Sequence, residues 1–323
     1  MSDWRPASGP EAARSRAAIL RRVRDYFGTK NVLEVDTPAL SPTAVSDIQI
    51  ESFEIRDCAV DGGPLFLHTS PEFCMKCLLA AGYPDIFSIA RVFRDGEAGK
   101  RHQPEFTMLE WYRRDMGLSQ IIRETTSLIR HALADAAPTE SPVRIDYHDA
   151  LLDAVGIDAR TAGLDALVHA ADADDRLQAA LGRERDDWLD LLLATRVIPS
   201  FAANRLTVLQ HYPASQAALA RLCPDDPDVA DRFEVFFGPL ELANGYVELT
   251  DAAEQAARIA SDNESRHRRG QAVRPVDENL LAALAAGLPQ CAGVAMGLER
   301  LQMIRDKTDD IGDVITFAFE EGA

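Results

Sequence analysis

The sequence lacks the features of a secreted, membrane-spanning or disulfide-stabilised protein. Its first eleven residues contain no apolar segment of the kind found in signal peptides. The longest apolar stretch, residues 280–298, is interrupted by Gly287, Pro289 and Gly293, so we expect a buried helix, a turn and a buried strand rather than a membrane span. Five irregularly spaced cysteines argue against a disulfide framework. We therefore expect a cytoplasmic protein.

Positive charge is scarce as well. The chain has 34 Lys and Arg residues against 52 Asp and Glu residues, which gives a formal net charge of −18. Sequence-independent binding to DNA or RNA requires many basic groups to displace the counterions of the phosphate backbone. We expect no DNA binding, although a local basic pocket for one phosphate group is compatible with this composition.

Several motifs of known chemistry are missing from the sequence. There is no G-x-x-x-x-G-K-S/T loop, no G-x-G-x-x-G turn after a strand, no G-x-S-x-G elbow and no H-E-x-x-H helix. Cys74 and Cys77 form a C-x-x-C pattern, but a zinc site of this kind requires a second pair. We interpret these two cysteines as neighbours on a helix. A bound nucleotide is therefore not expected on a P-loop or a Rossmann turn.

The hydrophobic pattern predicts an α+β fold with a largely antiparallel sheet. Strand-like and helical stretches are mixed, without the regular alternation of a parallel α/β protein. Residues 86–94 and 105–113 are predicted strands of a long hairpin, and residues 95–104 are its polar, positively charged tip. Residues 138–203 are predicted to be mainly helical, and residues 48–55 to form a half-buried strand. Residues 233–240 are predicted to form a further strand, which residues 241–250 continue.

Four segments carry residue types suited to binding a phosphate-bearing ligand; they are residues 69–72, 93–112, 241–248 and 293–300. Arg94 ends a predicted strand, where its planar guanidinium can grip phosphate oxygens with paired hydrogen bonds. Phe106, Met108, Glu110 and Tyr112 share one face of the next strand, because side chains alternate. Phe106 can stack on a purine, and Tyr112 can donate to a polar substrate.

The other two segments suggest a cation and a second phosphate contact. Glu241 and Glu248 are seven residues apart, which places them on opposite faces of a regular strand, but a bulge at Asn244-Gly245 would bring them to one face. Two carboxylates beside phosphates would hold Mg²⁺. Arg300 opens a helix, whose N-terminal amides also favour anions. Each feature alone has an ordinary structural explanation, so the prediction depends on their occurring together in this order.

Together these segments resemble the signature motifs of class II aminoacyl-tRNA synthetases. The first motif, which builds the dimer interface in that family, ends at Pro38. The second is an Arg-containing strand, a loop, and then His or Arg four residues before Phe, matched by Arg94 and by His102 with Phe106. The third, rich in glycine and ending in Glu-Arg, is matched by residues 293–300. The wording of residues 102–112 and 241–249 is similar to the lysyl branch.

The length of the resemblance is informative too. It runs from about residue 12 to residue 318 and leaves no room for the N-terminal anticodon-binding barrel of a lysyl-tRNA synthetase. This pattern resembles the stand-alone lysyl-synthetase paralogues that modify elongation factor P. It implies one catalytic domain over residues 1–323, with a helical insertion at about 138–203, and a homodimer without an anticodon-binding domain.

The resemblance also implies roles for individual residues. ATP, with Mg²⁺, would be bound by Arg94, Asp95, Gly96, Gln103, Phe106, Glu241, Leu242, Gly297 and Arg300. Lysine or (R)-β-lysine would be bound by Ser70, Glu72, Tyr112, Asn244 and Glu248. Arg94 and Arg300 would be the catalytic cations, and Glu241 and Glu248 the metal ligands. Carboxylates such as Glu72 and Glu248 would balance the two ammonium groups of the substrate.

Three positions depart from the family pattern. Gly96 stands where the second motif has a Glu that reads adenine, and Glu97 follows it. Gln103 stands where an Asn is usual. Ala295 replaces the middle glycine of the third motif, a change that the elongation factor P-modifying subgroup shares. Adenine recognition by a carboxylate therefore depends on whether Glu97 takes the place of the missing Glu.

The resemblance implies an ATP-dependent ligase that forms an aminoacyl-adenylate and transfers the acyl group to a lysine of elongation factor P. Two alternatives are open. One is a lysyl-tRNA ligase without an anticodon domain, against which the acidic composition argues. The other is a synthetase-like regulator without catalysis, which predicts loss of the motif arginines or carboxylates. Arg94, Arg300, Glu241 and Glu248 are all present.

Overall fold

A computed structural model describes residues 4–56 and 63–319 of the chain. The α-helices of this part are α1 (Pro10–Gly28), α2 (Glu72–Ala80), α3 (Leu118–Leu133), α4 (Tyr147–Val155), α5 (Leu164–Ala170), α6 (Asp175–Leu181), α7 (Arg185–Leu192), α8 (Ala252–Arg268), α9 (Glu278–Gly287) and α10 (Leu298–Asp306). None of the described helices combines the length and the apolar character required to cross a bilayer.

The strands are β1 (Leu33–Glu34), β2 (Leu40–Ser41), β3 (Glu54–Ile55), β4 (Leu65–Leu67), β5 (Ile86–Phe93), β6 (Glu105–Arg114), β7 (Val143–Asp146), β8 (Leu206–Pro213), β9 (Leu222–Cys223), β10 (Asp226–Phe237), β11 (Leu240–Val247) and β12 (Cys291–Gly297). Contacts divide the described chain into two compact units. Unit 1 contains the residues up to 117, residues 127–137 and those from 250 onward, and unit 2 contains residues 118–126 and 138–249.

Unit 1 has strands in the order β1, β5, β6, β12. The hairpin of β5 and β6 is antiparallel, with Ile86 opposite Tyr112 and Phe93 opposite Glu105, as the alternation of its side chains predicts. β12 runs antiparallel to β6, and β1 pairs in parallel with β5. A small sheet, in the order β2, β4, β3, accompanies them.

Two predictions about strands in unit 1 and unit 2 are wrong in extent. Of residues 48–55, only Glu54 and Ile55 form a strand, because these are the residues that find a partner, on β4. Residues 233–250 do not form one continuing strand, because Gly238 has φ = +53° and turns the chain back. The result is an antiparallel hairpin of β10 and β11.

Unit 2 has strands in the order β11, β10, β8, β7, and β9 also pairs with β10. The pairing is antiparallel except between β7 and β8. Helices α4 to α7 lie within the stretch predicted to be helical. Trp188, Leu192 and Tyr147 from these helices are buried in one apolar cluster with Leu209 and Phe236 of the strands. Burial of their apolar surface is the main force that packs these helices on the sheet.

Apolar side chains pack the helices of unit 1 against its strands and against one another. Phe27 of α1 stacks on Phe87 of β5, with ring centroids 4.6 Å apart, and tilts against Trp111 of β6. Met75 of α2 and Leu284 of α9 belong to a second buried cluster. Cys74 and Cys77 both lie on α2, as predicted, and the four described cysteines are free thiols, whereas Cys58 lies outside the described residues.

Candidate active site

The loop between β5 and β6 begins and ends on the residues predicted to bind a nucleotide. The backbone amide of Arg94 donates to Pro104 O at 2.9 Å, which closes the hairpin just beyond its last strand pair. The Arg94 guanidinium lies 5.2 Å from the centre of the Phe106 ring, in a cation–π contact. Its Nη1 is 3.5 Å from Glu97 Oε1. Glu97 is thus a charge partner of Arg94 in this structure.

The residues after Arg94 shape the turn of the same loop. Asp95 donates its backbone amide to Glu51 O at 2.9 Å. Gly96 has φ = +79°, a conformation that side-chain-bearing residues rarely adopt. The position where the family pattern has a carboxylate therefore requires glycine in this loop, which gives a conformational reason for that departure.

Arg300 contacts the same loop from a distant part of the sequence. It lies in the first turn of α10, which starts directly after β12 ends at Gly297. Its Nε donates to Arg101 O at 3.3 Å, and its Nη2 lies 2.7 Å from His102 Nε2. Gly297 has open space beside it, since an added Cβ would meet only Arg300 Cδ, at 3.9 Å. The two predicted catalytic arginines therefore both contact residues of the loop from 94 to 104.

The side chain of Gln103, predicted to bind the nucleotide, instead makes hydrogen bonds within the protein. Its side chain is buried, and its Oε1 accepts from the Phe319 amide at 2.7 Å. Its Nε2 donates to Phe319 O at 3.4 Å. The amide group thus ties the loop to the chain near residue 319.

A buried carboxylate on β6 organises the expected substrate residues of unit 1. Glu110 is only 2% exposed. Its Oε2 accepts from Ser70 Oγ and its Oε1 accepts from Tyr112 Oη, both at 2.6 Å. The sequence places Glu110 on the same strand face as Tyr112, but it does not single it out as a ligand. The signal that could have identified Glu110 was a carboxylate in an otherwise apolar, buried strand.

Glu72 opens α2 beside this group. The Ser70 hydroxyl accepts from the Glu72 amide at 2.9 Å, which fixes the start of the helix. The Glu72 carboxylate forms an ion pair with Lys76 Nζ at 2.6 Å, one turn further along the same helix. Lys76 is 1% exposed, so its charge is balanced inside the protein. The negative charge of Glu72 is therefore already partly compensated.

Glu299 supports the site without belonging to it. It is 2% exposed, and it accepts from the Thr107 amide at 2.9 Å and from Arg16 Nη1 at 3.0 Å. These bonds join α10, β6 and α1. The acidic residue of the third motif therefore fixes the helix that carries Arg300.

In unit 2 the predicted bulge exists, but it lies at a different residue. Phe236 pairs with Glu241 and Val235 pairs with Ala243, so Leu242 is the extra residue on β11. This bulge brings Glu241 to the face that carries Asn244 and Tyr246, and alternation extends that face to Glu248. The expectation that a bulge restores a common face is therefore met at Leu242, whereas the location at Asn244-Gly245 is wrong.

The same face of unit 2 also carries a partly buried ion pair. Arg232 Nη2 lies 2.7 Å from Glu234 Oε1, and Glu234 is opposite Asn244 in the β10–β11 register. Burial raises the pKa of Glu234 and Glu241 adds to that rise, whereas Arg232 opposes it. Asn244 Nδ2 donates to Tyr246 Oη at 3.2 Å. Glu248 is 1% exposed and lies beyond the end of β11, in a bridge with Ala220.

The comparison with protein families agrees with the motifs. A model described as tRNA synthetases class II (D, K and N) matches residues 2–321. The chain belongs to this family. As a class II synthetase-like protein, it has the mixed, mostly antiparallel architecture that the sequence predicts, and the predicted resemblance is confirmed.

Curated relatives of this class II synthetase-like chain are similar over their whole length. A protein of Sodalis glossinidius (strain morsitans) is 44% identical, with 99% of each chain covered. One of Pseudoalteromonas translucida (strain TAC 125) is 43% identical with 97% of each covered, and one of Salmonella typhi is 42% identical with 98% of each covered. All three are named elongation factor P–(R)-β-lysine ligase.

Proposed function

We propose that this chain is an ATP-dependent ligase that activates (R)-β-lysine, or lysine, and transfers it to a lysine side chain of elongation factor P. The observation that carries the proposal is the sequence identity of 41–44% to relatives named elongation factor P–(R)-β-lysine ligase, over nearly the full length of both chains. Ligases of this class use ATP as co-substrate. Because the acceptor is a translation factor, the reaction would take place in the cytoplasm.

The geometry of unit 1 supports an amino-acid site on β6. Glu110 accepts two short hydrogen bonds from hydroxyl groups, and a carboxylate oxygen has lone pairs for further donors. An ammonium group brings three N–H donors and a positive charge. We infer that Ser70, Glu110 and Tyr112 orient one ammonium group of the substrate, and that Glu72 contributes its remaining charge beside them.

The loop residues support the activation step. A carboxylate is a poor acyl donor until it is joined to a good leaving group. Its oxygen attacks the α-phosphorus of ATP, the bond to the β,γ-phosphates breaks, and pyrophosphate leaves. Arg94 and Arg300 would offset the negative charge that develops on the phosphates, as preorganised donors do. Phe106 would hold the adenine ring by stacking on one face, with Arg94 over the other face of the same aromatic ring.

The carboxylates of unit 2 would supply the protein ligands of a magnesium ion. Glu241 and Glu248 offer hard oxygen donors, and Mg²⁺ in nucleotide enzymes commonly takes one or two carboxylates together with phosphate oxygens and waters. When bound, the ion would screen phosphate charge. Asn244 would remain a polar contact for the substrate, and the backbone at Leu242 would lie along the nucleotide.

The second step forms an amide. The acceptor lysine of elongation factor P has an ordinary pKa near ~10.4, so its amine must lose a proton before it attacks the activated carbonyl. AMP then leaves with the bonding electrons of the acyl–phosphate bond.

The family's dimer interface implies a homodimer, which a mass measurement in solution would test directly.

The decisive experiment is the intact mass of purified elongation factor P after incubation with the enzyme and ATP. Separate reactions contain (R)-β-lysine, (S)-β-lysine or lysine, and a parallel series replaces elongation factor P by tRNA. We expect one added aminoacyl group on the protein, with (R)-β-lysine the best substrate. An unmodified protein in every reaction, or aminoacylated tRNA, would contradict the proposal. A matched reaction without ATP controls for non-enzymatic acylation.

A further inference from the structure

Three side chains of different chemistry, none of them assigned a role above, meet in unit 2. They are His211 of β8, Cys223 of β9 and Asp231 of β10. One ligand atom from each lies within 4.8 Å of the others. The cluster therefore offers a nitrogen, a sulfur and a carboxylate oxygen from three separate strands. A simple ion pair needs only one cation and one carboxylate, so it does not account for this set of donors.

A bulge explains why these side chains converge. Gln210 is paired with Phe233 and Tyr212 with Ala230, so His211 alone stands opposite two residues of β10. One of these two is Asp231. His211 has φ = +56°, in the left-handed region that few side-chain-bearing residues occupy. The strand is thus held in an uncommon conformation at the residue that would supply the nitrogen ligand.

A second carboxylate orients the imidazole. Asp146, the last residue of β7, has its Oδ1 3.0 Å from His211 Nδ1, and the same oxygen accepts from Gln210 Nε2 at 2.8 Å. With Nδ1 directed at Asp146, the opposite ring nitrogen, Nε2, is the one that can face a metal. A histidine that donates its other N–H to a carboxylate is the usual arrangement around zinc ligands.

The charges of the cluster are also suited to a divalent cation. Asp231 is 4% exposed, and its Oδ2 accepts from Arg221 Nε at 2.8 Å, so the carboxylate is held in place while its other oxygen can coordinate. Cys223 is a free thiol and is half-buried, as is His211. A thiolate and a carboxylate together carry the two negative charges that neutralise one divalent ion.

We propose that His211, Cys223 and Asp231 bind a zinc ion, with Asp146 as the residue that positions the imidazole. Zinc prefers nitrogen and sulfur ligands in a tetrahedral arrangement, and the partial exposure of the cluster leaves a fourth position for water. On binding, the S–H bond of Cys223 breaks, a sulfur–zinc bond forms and the proton passes to solvent. The ion would join β8, β9 and β10 and so stabilise unit 2.

Other donor clusters of the described chain do not carry the same inference. Asp146, His148 and Asp149 also lie close together, but they offer no sulfur, and Asp149 is exposed at the start of α4. Among the residues that the structure describes, no histidine or carboxylate completes a group of three close donors with Cys74 and Cys77. Burial raises the pKa of both thiols, which disfavours the thiolate that a metal requires.

The test uses the full chain, stripped with a chelator and then titrated with Zn²⁺ or Co²⁺. We expect one metal per chain after dialysis, measured by elemental analysis, and a thiolate-to-cobalt charge-transfer band in the cobalt form. Cys223→Ser should lose this band, whereas Cys74→Ser, a substitution of an exposed cysteine, should keep it. His211→Asn, which preserves a residue tolerant of positive φ, should also lose tight binding.

Asp146→Asn separates positioning from ligation. It should retain the charge-transfer band but bind zinc about 10–100-fold more weakly, because the histidine loses its orienting partner. Zinc should raise the midpoint of thermal unfolding of the wild type and leave that of Cys223→Ser unchanged. A stripped wild type that takes up no zinc, or a Cys223→Ser variant with the same band and stoichiometry, would overturn the proposal. These readouts are independent of ligase activity.

Discussion

Glu110 is a carboxylate in an almost fully buried position, and both of its oxygens are occupied by hydroxyl donors at 2.6 Å. Hydrogen bonds to a charged group stabilise more than neutral ones, and a buried charge is costly unless it is paired. The arrangement makes sense when the site receives a cation. We therefore expect both the charge and the geometry of Glu110 to matter to substrate binding.

Replacing Glu110 by Gln keeps the shape of the side chain and removes its charge. We expect kcat/KM in amino-acid-dependent pyrophosphate exchange to fall about 10–100-fold, because a charged hydrogen bond contributes roughly 1.5–3 kcal/mol. Glu105→Gln, on the same strand but exposed, is the matched control and should be close to wild type. Equal activity of the two variants would show that Glu110 has no part in substrate binding.

Arg300 is expected to act on the phosphates of ATP. Arg300→Ala should lower turnover in pyrophosphate exchange by about 10²–10³, the usual cost of one preorganised donor at a developing charge. The exposed Arg91 of β5 gives a control, since Arg91→Ala removes the same charge without touching the loop. Exchange near the wild-type rate in Arg300→Ala would be incompatible with this role.

Helix α7 carries a carboxylate in an unfavourable environment. Asp190 Oδ1 accepts from Gln216 Nε2 at 2.9 Å, and burial raises the pKa of Asp190 to about 6. In the unfolded chain the group ionises near pH 3.8, so between these values the folded state holds the extra proton. Stability contributed by this group is present at low pH and is lost as the pH rises through 6.

Asp190→Asn should remove that pH dependence. The variant should gain on the order of 2–3 kcal/mol relative to the wild type when the pH is raised from 4 to 7. Urea unfolding of both proteins at several pH values measures the difference. A constant difference across this range would mean that Asp190 is not perturbed by burial.

Over the whole molecule, the net charge of −18 opposes association with polyanions. We expect fluorescent tRNA to show no saturable binding in anisotropy titrations, and bulk tRNA not to compete with elongation factor P in the acylation assay. Strong, salt-sensitive tRNA binding would favour the lysyl-tRNA ligase alternative. The control titration uses a full lysyl-tRNA synthetase, which should bind under the same conditions.

Local pattern predicted the elements of the site well where the partner strand is next in sequence. The β5–β6 hairpin follows from the alternation of side chains on either side of a polar loop. Arg94 and Phe106 lie on either side of this loop, because pairing between strands that are close in sequence fixes the register. Residues 48–53 failed as a strand for the opposite reason. Their backbone carbonyls accept from scattered donors instead of one strand: Ile48 O from the Gln271 side chain, Glu51 O from the Asp95 amide and Phe53 O from the Leu67 amide.

The family and the α+β class were determined by sequence alone. The motifs that carry them are short segments, and residues close together in such a segment are also close together in the folded structure. Tertiary structure decided which distant groups meet. It brought Ser70 to Glu110, placed the β11 bulge at Leu242 and brought Cys223 to His211 and Asp231. Those contacts depend on strand register and burial across long loops, which a linear pattern does not encode.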